Sequence, residues 1–390
     1  MKANQVLDFS QLSDVILGAH FYACGGGGAL ENGMALLDEV AKLFGGKDKV
    51  QLPVIDIEDV ADNAQLPVLA AMGAPQEFLA KGYSHSPVSA FQALESLLQT
   101  HFASVSPVET GPIAYGMSML CAAANNIPMV NGDGGGRAFP CLQLSTFANP
   151  ELAKPITVSP GVLTSEKKVS QGGGVITIEC QSSVDVDAIT RGIISTSQSF
   201  DQRASLASFA MTGAQLKQPN AFVPNMVTAC HQLGRSIREA VSDKLDCFPV
   251  ISGLPHAHCV MKGKLVDIES TTSNGFDWVT LKYQSHHNGK TYHVVAQNEN
   301  MLLWVDDKTS PIAMAPDLIC CISADATLMS NDEILSVWQQ DPQDPRFNEM
   351  AIFTLSAAGQ IQQPWFHQNF AAIFQKFGYF GDYRASLQAE

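Results

Sequence analysis

Apolar residues recur at helical spacing near the start of the chain, where Leu12, Val15, Ile16 and Ala19 share one face behind Ser10, a candidate N-cap. Gly25 to Gly28 interrupt the pattern, and a second helix is expected with Met34, Leu37, Val40 and Phe44 on one side. "VQLPVIDI" and "LPVLAAMGAP" are short apolar runs that read as buried strands. Between Pro87 and His101 the periodicity returns, with Val88, Phe91, Leu94 and Leu98 in register. "VSPVETGPIAYGMSMLCAAANNIPMVNGDGGGRAFP" then gives strand, glycine turn, helix, strand, glycine turn. That rhythm predicts an α/β domain with a largely parallel sheet. "GVITIECQ" adds a strand, and a helix from Asn220 to about Leu245 carries Met226, Cys230, Leu233, Ile237 and Val241 on one stripe.

Near Cys247 the texture changes. "WVTLKYQ", "TYHVVAQ" and "NMLLWVDD" are rich in aromatic and β-branched residues, and Asn274-Gly275 and Asn288-Gly289 both fit hairpin turns. The predicted fold class is therefore α/β: a largely parallel α/β sandwich over 1–245, then a smaller, mostly antiparallel β domain over 246–345. The tail over 346–390, with "QPWFHQNFAAIFQKFGYFGDYR", is expected to pack back across the junction.

Composition supports a buried, globular chain. A length of 390 residues favours two domains, and 46% hydrophobic against 16% charged residues excludes a disordered class. A net charge of -15 argues against a nucleic-acid surface. No long apolar run predicts a membrane span, and "MKANQVLDFSQLSD" lacks the apolar core of a signal peptide, so a cytoplasmic protein is expected. The nine cysteines are scattered, without C-x-x-C spacing, and read as buried reduced thiols. The expected partner is a small-molecule substrate, and the composition is compatible with a homo-oligomer.

The candidate chemistry gathers at glycine turns. "NGDGGGR" leaves a buried strand where α/β sheets bind ligands, with Asp133 the nearest base and Arg137 a fork-shaped donor for a carboxylate. The competing reading is a tight turn closed by an Asp133–Arg137 ion pair. "CGGGG" at Cys24 to Gly28 lacks the spacing of a phosphate loop. "VETGP" puts Glu109 at a strand end and Gly111 before a helix. Three such turns, two with an acid, predict one rim of one cleft shared by Glu109, Asp133 and Arg137. Gly26, Gly27, Gly28, Gly111 and Gly134 would bring backbone amides close to a substrate. "QNEN" places Glu299 between the amides of Asn298 and Asn300, suited to a held base or to a strand end satisfying its own backbone. "LPHAHC" offers His256, His258 and Cys259 as a zinc site, but no matching cluster lies nearby, so no metal and no cofactor is expected.

Taken together and in order, these motifs resemble the S-methyl-thiohydantoin desulfurase-like family, associated with hydantoin and oxoproline hydrolases. The match runs through "GGGG", "MGAP", "NGDGGGRAFP", "LGRSIREA", "MKGKLVDIE", "QNEN" and "PDLI". The family's "EIGG" reads "ETGP" here, and Asn131 replaces the first acid of its "DGDG". The resemblance implies an α/β domain followed by a β domain. It also implies a hydrolase: water attacks the ring carbon of a small S-methylated thiohydantoin or hydantoin-type ring. From residue chemistry, the base is Asp133, Glu109 or Glu299. Arg137, Asn298, Asn300 and the glycine amides would bind a substrate with a carboxylate or polar ring. The alternative is a non-catalytic binding or partner protein of a hydantoinase or oxoprolinase system.

Overall fold

A computed structural model describes residues 4–73, 78, 81–273, 276–306 and 308–386. The first helix, Phe9–Tyr22, is opened by Asp8 rather than Ser10. The Asp8 carboxylate accepts from the Gln11 amide at 2.9 Å while the Gln11 side chain accepts from the Asp8 amide at 3.0 Å. Helix Met226–Ser242 crosses it at backbone contact, because both crossing positions are glycines. A Cβ on Gly18 would sit 1.9 Å from the Cys230 carbonyl oxygen, and one on Gly234 would sit 1.9 Å from that of Asp14. The buried Asp14 carboxylate takes both arms of the Arg238 guanidinium at 2.6 and 2.9 Å, pinning the crossing.

Helix Leu30–Phe44 buries Leu37 and Val40 of its expected stripe and helix His85–Leu98 buries Phe91 and Leu94, with Met34, Phe44, Val88 and Leu98 half-buried at the edges. Helix Pro112–Asn125 begins on Pro112 as a first-turn residue. The sheets beside them are mixed. Gln5–Leu7, Leu52–Ile55 and Met129–Val130 form one, with the first pairing antiparallel and the second parallel. The second orders Ser106–Pro107, Gln65–Gly73, Arg203–Thr212, Gly161–Ser165 and Val175–Ile178, and only its first pairing is parallel. This corrects the expectation of a largely parallel sheet. Near-continuous apolar runs report burial on both faces and not direction, and Arg203–Thr212, almost wholly buried, runs antiparallel to both neighbours.

Beyond Cys247 the chain builds a seven-stranded antiparallel sheet. Its order is Ala313–Met314, Glu299–Val305, Thr291–Gln297, Phe276–Ser285, Ala257–Ser273, Met350–Leu355 and Leu318–Ser323. Tyr292, Val294 and Ala296 alternate into a core closed by Ile334 of helix Asn331–Gln340. The turn at Asn288-Gly289 links two of these strands, with Gly289 at φ +68°. The turn expected at Asn274-Gly275, and Ala74 and Pro75 of "MGAP", lie outside the described residues.

The segment from 346 does more than pack as a tail, since Met350–Leu355 is an inner strand of the large sheet. Helix Pro364–Phe374 follows and touches both Leu142–Leu144 and Glu299–Val305. One apolar core runs from Phe147 and Leu163 in the first half to Phe353 and Phe370 in the second. All nine cysteines are free thiols. Among the described residues no helix is long and apolar enough to cross a membrane.

Candidate active site

A cavity of about 370 Å³ opens where the first glycine turn meets the large sheet, a volume suited to a small molecule. Its wall includes Gly25 to Gly28, Glu109, Phe139, Arg191, Asp277, Asn298, Glu299, Asn331 and Asp332. Three backbone bonds seat the glycine turn. The Asn300 amide donates to the Cys24 carbonyl at 2.8 Å, the Asn331 amide to Gly25 at 2.8 Å, and the Ile113 amide to Gly27 at 3.1 Å.

This seat explains two of the glycines. A Cβ on Gly26 would lie 2.0 Å from Glu299 Oε1, so a carboxylate presses on the bare backbone there. Gly27, at φ +66°, packs closely on Gly111, where a Cβ on either would lie 3.0 Å from the other's Cα, and this brings the "CGGGG" and "ETGP" turns together.

Glu299 is 3% exposed. Burial pushes it up, against the Arg137 charge and the Gly27 and Glu299 backbone amides, and it settles at about 8. Its Oε2 finds no protein partner. Glu109, half-buried against the cavity, accepts one bond, from the Phe139 amide at 2.8 Å. Burial, the Glu299 carboxylate and Asp133 raise it well above the usual range. The Glu299 charge therefore disfavours ionisation of Glu109, the carboxyl that has the poorer set of donors.

Asp133 and Arg137 lie behind this wall. Asp133 is wholly buried and accepts from the Thr110 hydroxyl, the Tyr115 hydroxyl at 2.6 Å, and the Gly135 and Gly136 amides at 2.8 and 2.7 Å. Arg137, equally buried, donates to the carbonyls of Ala138, Pro316, Asp317 and Asn300 at 2.9, 3.1, 2.9 and 3.0 Å, over the Phe370 ring. The two neither pair with each other nor line the cavity, so of the three residues expected to share a cleft, Glu109 alone faces it. Gly134 is likewise structural in its contacts, donating to the Val108 carbonyl and accepting from Thr146.

Of the "QNEN" residues, Asn298 and Glu299 face the cavity. Asn300 holds Ile319 and Asn331 behind it. His256 sits before the strand beginning at Ala257, at φ +58°, so it does not share a strand face with His258. Among the described residues no group of three or more His, Cys, Asp or Glu side chains is arranged to hold a metal ion.

Sequence reasoning missed Arg191, Asp277, Asn331 and Asp332. Arg191 belongs to helix Ser183–Thr196, where it holds Asp187 at 2.7 Å and the Pro140 carbonyl at 2.6 Å over the Phe276 ring at 4.4 Å. Asn331 and Asp332 open a helix capped by Ser330 and Glu333, and that S-x-x-E spacing is a readable helix start. Nothing local in it announces a cavity.

The fold and site define a class: a mixed α/β unit joined to an antiparallel sheet, with two carboxyl groups facing one cavity at a glycine turn. The chain belongs to the S-Me-THD-like family. Its N-terminal domain model matches residues 10–170 and its C-terminal domain model residues 181–336. The chain is also similar to a crystal structure of a protein from Chromobacterium violaceum, at 23% identity over 97% of this chain and 99% of that one, with a TM-score of 0.82. That likeness is one of fold. No curated protein matches the chain.

Proposed function

We propose that this chain is a hydrolase acting on a small (S-methyl)thiohydantoin or hydantoin-type ring, with Glu109 and Glu299 as its acid–base pair. The observation that supports it is the pair itself. Both carboxyls face one cavity, both are raised by burial, and Glu299 Oε2 is left without a protein donor. An acid raised by burial and a neighbouring charge, sitting in a cleft, is the kind of group that acid–base catalysis uses.

The roles follow from what surrounds each acid. Arg137, Arg191 and two backbone amides favour charge on Glu299, whereas Glu109 has Arg191 and one amide against two neighbouring acids. Glu299 is therefore the carboxylate and Glu109 the acid in the singly protonated pair. Glu299 takes a proton from water as the water oxygen bonds to the ring carbon. Glu109 gives its proton to the adjacent ring nitrogen. The adduct then collapses to a ring carbonyl, the C–S bond breaks, and the sulfur leaves with a proton as methanethiol.

The test is direct. The full chain is incubated with S-methylated thiohydantoins and released thiol is followed with a chromogenic thiol reagent, beside ring opening of hydantoins. Turnover that Glu299→Gln abolishes supports the hydrolase. Tight binding without turnover supports instead the non-catalytic binding or partner protein.

A further inference from the structure

The cavity wall is unbalanced in two ways, and both bear on the substituent of the ring. In charge, it carries four carboxyl groups, Glu109, Asp277, Glu299 and Asp332, against the Arg191 guanidinium, which already holds Asp187 and the Pro140 carbonyl. In hydrogen bonding, it offers acceptors that lack donors. Asn331 is 3% exposed, and its Nδ2 is committed to the Asn298 carbonyl at 2.8 Å and Asn300 Oδ1 at 3.1 Å. That orientation leaves Asn331 Oδ1 buried without a donor, as Glu299 Oε2 is. A buried acceptor left unmatched is costly, so a ligand with N–H groups on this side gains what the protein withholds.

The four acids fall into two pairs. The charges acting on Glu109 are those of Glu299, Asp133 and Arg191, whereas those acting on Asp332 are Asp277 and Glu333. Asp277 is held in place, its Oδ1 accepting from the Thr272 hydroxyl at 2.6 Å and its amide donating to Asn298 Oδ1 at 2.9 Å. Asp332 stands in the first turn of helix Asn331–Gln340. Burial, with Asp277 and Glu333 beside it, pushes it up to about 6. A positive charge between these two acids would relieve that repulsion, and a negative one would add to it.

Resting on the ring-hydrolase reading, we propose that the substrate's ring substituent ends in a cationic nitrogen, an ammonium or guanidinium, held by Asp277 and Asp332 with Asn331 Oδ1 as a further acceptor. The site then discriminates against the carboxylate tail that Arg137 was expected to anchor.

The experiment is calorimetric binding of two hydantoins to the full chain, one with a guanidinopropyl and one with a carboxyethyl substituent. The basic ring is expected to bind at least about tenfold more tightly, as charged hydrogen bonds imply. An Asp277→Asn, Asp332→Asn double variant, checked for folding by thermal melt, should lose that preference, and each single variant should lose part of it. Equal or tighter binding of the carboxyethyl ring overturns the proposal. So does a preference that survives in the variants, or failure of the basic ring to bind. Turnover without a preference sinks this inference alone, and a preference without turnover of any ring sinks the hydrolase reading alone.

Discussion

Asp133 and Glu299 are both buried acids pressed against glycine-turn amides, and the difference between them lies in what is left over. Asp133 collects four donors, two hydroxyls and two amides, and has no capacity facing open space. Glu299 shares its cavity with Glu109, keeps Oε2 without a partner, and stands at about 8. Arg137 is spent in the same way as Asp133, on four backbone carbonyls. An acid at a glycine turn is thus not a site by position. A saturated one ties segments together, and an unsaturated one waits for a ligand.

The largest way to break this contrast is to exchange the cavity acids. Glu299→Gln or Glu109→Gln should lower kcat/KM for ring hydrolysis about 10²–10⁴-fold, the usual worth of a positioned acid or base. The melting temperature at pH 8 should hold or rise, because a carboxylate resisted by burial has gone. A drop in melting temperature as large as the drop in rate would make these acids structural.

Asp133→Ala should do the reverse. It strands the Thr110 and Tyr115 hydroxyls and the Gly135 and Gly136 amides in the interior, which costs on the order of 3–5 kcal/mol for a broken buried charge network. Chemical denaturation reads that loss, while the folded fraction should keep its rate per molecule. Full stability with lost turnover would return Asp133 to the position of candidate base.

Much of this architecture is readable along the chain, and the limits have physical causes. The helices are legible because periodicity is local: Leu12, Val15 and Ile16 are buried as the stripe requires. Strand direction is not, since Arg203–Thr212 looks equally apolar whichever way its neighbours run. Glu109 and Glu299 stand out as acids at strand ends, yet their pairing depends on Gly27 meeting Gly111 and Cys24 meeting Asn300, contacts far apart in sequence. Asp133 could be a base only while its donors were unseen. Two of them, Thr110 and Tyr115, flank the start of one helix, and their convergence on Asp133 is tertiary.

The pH dependence sharpens the comparison, because stability and rate should move in opposite directions. Glu299 is raised from 4.5 to about 8. Its contribution to stability is therefore fully present below its unfolded value and is lost as pH rises through about 8. The slope in between is at most about 1.4 kcal/mol per pH unit for one group. Over the same span kcat/KM should climb as Glu299 becomes the carboxylate base, up to about tenfold per unit below the limb. Asp133 supplies no such limb to the rate. A pH–rate profile of Glu299→Gln that keeps its rise near pH 8 would take the base away from Glu299.

The smallest effect concerns Asn131, the residue that stands where the family's pattern has an acid. It lies behind the cavity, with Nδ2 donating to Asp56 Oδ1 at 2.8 Å and to the Thr228 hydroxyl at 3.0 Å, and Oδ1 accepting from the Thr228 amide at 3.1 Å. An acid here would lose the donor and set two carboxylates in contact, so it belongs with Asp133 on the structural side of the contrast. Asn131→Asp should cost about 1–2 kcal/mol at neutral pH, tempered because Asp56 is partly exposed. Part of that loss should return in acid, where one of the two carboxyls protonates. Ring preference should stay as it is. A change in which ring binds, with no change in stability, would carry the cavity's influence back to "NGDGGGR" and weaken the division drawn between the two turns.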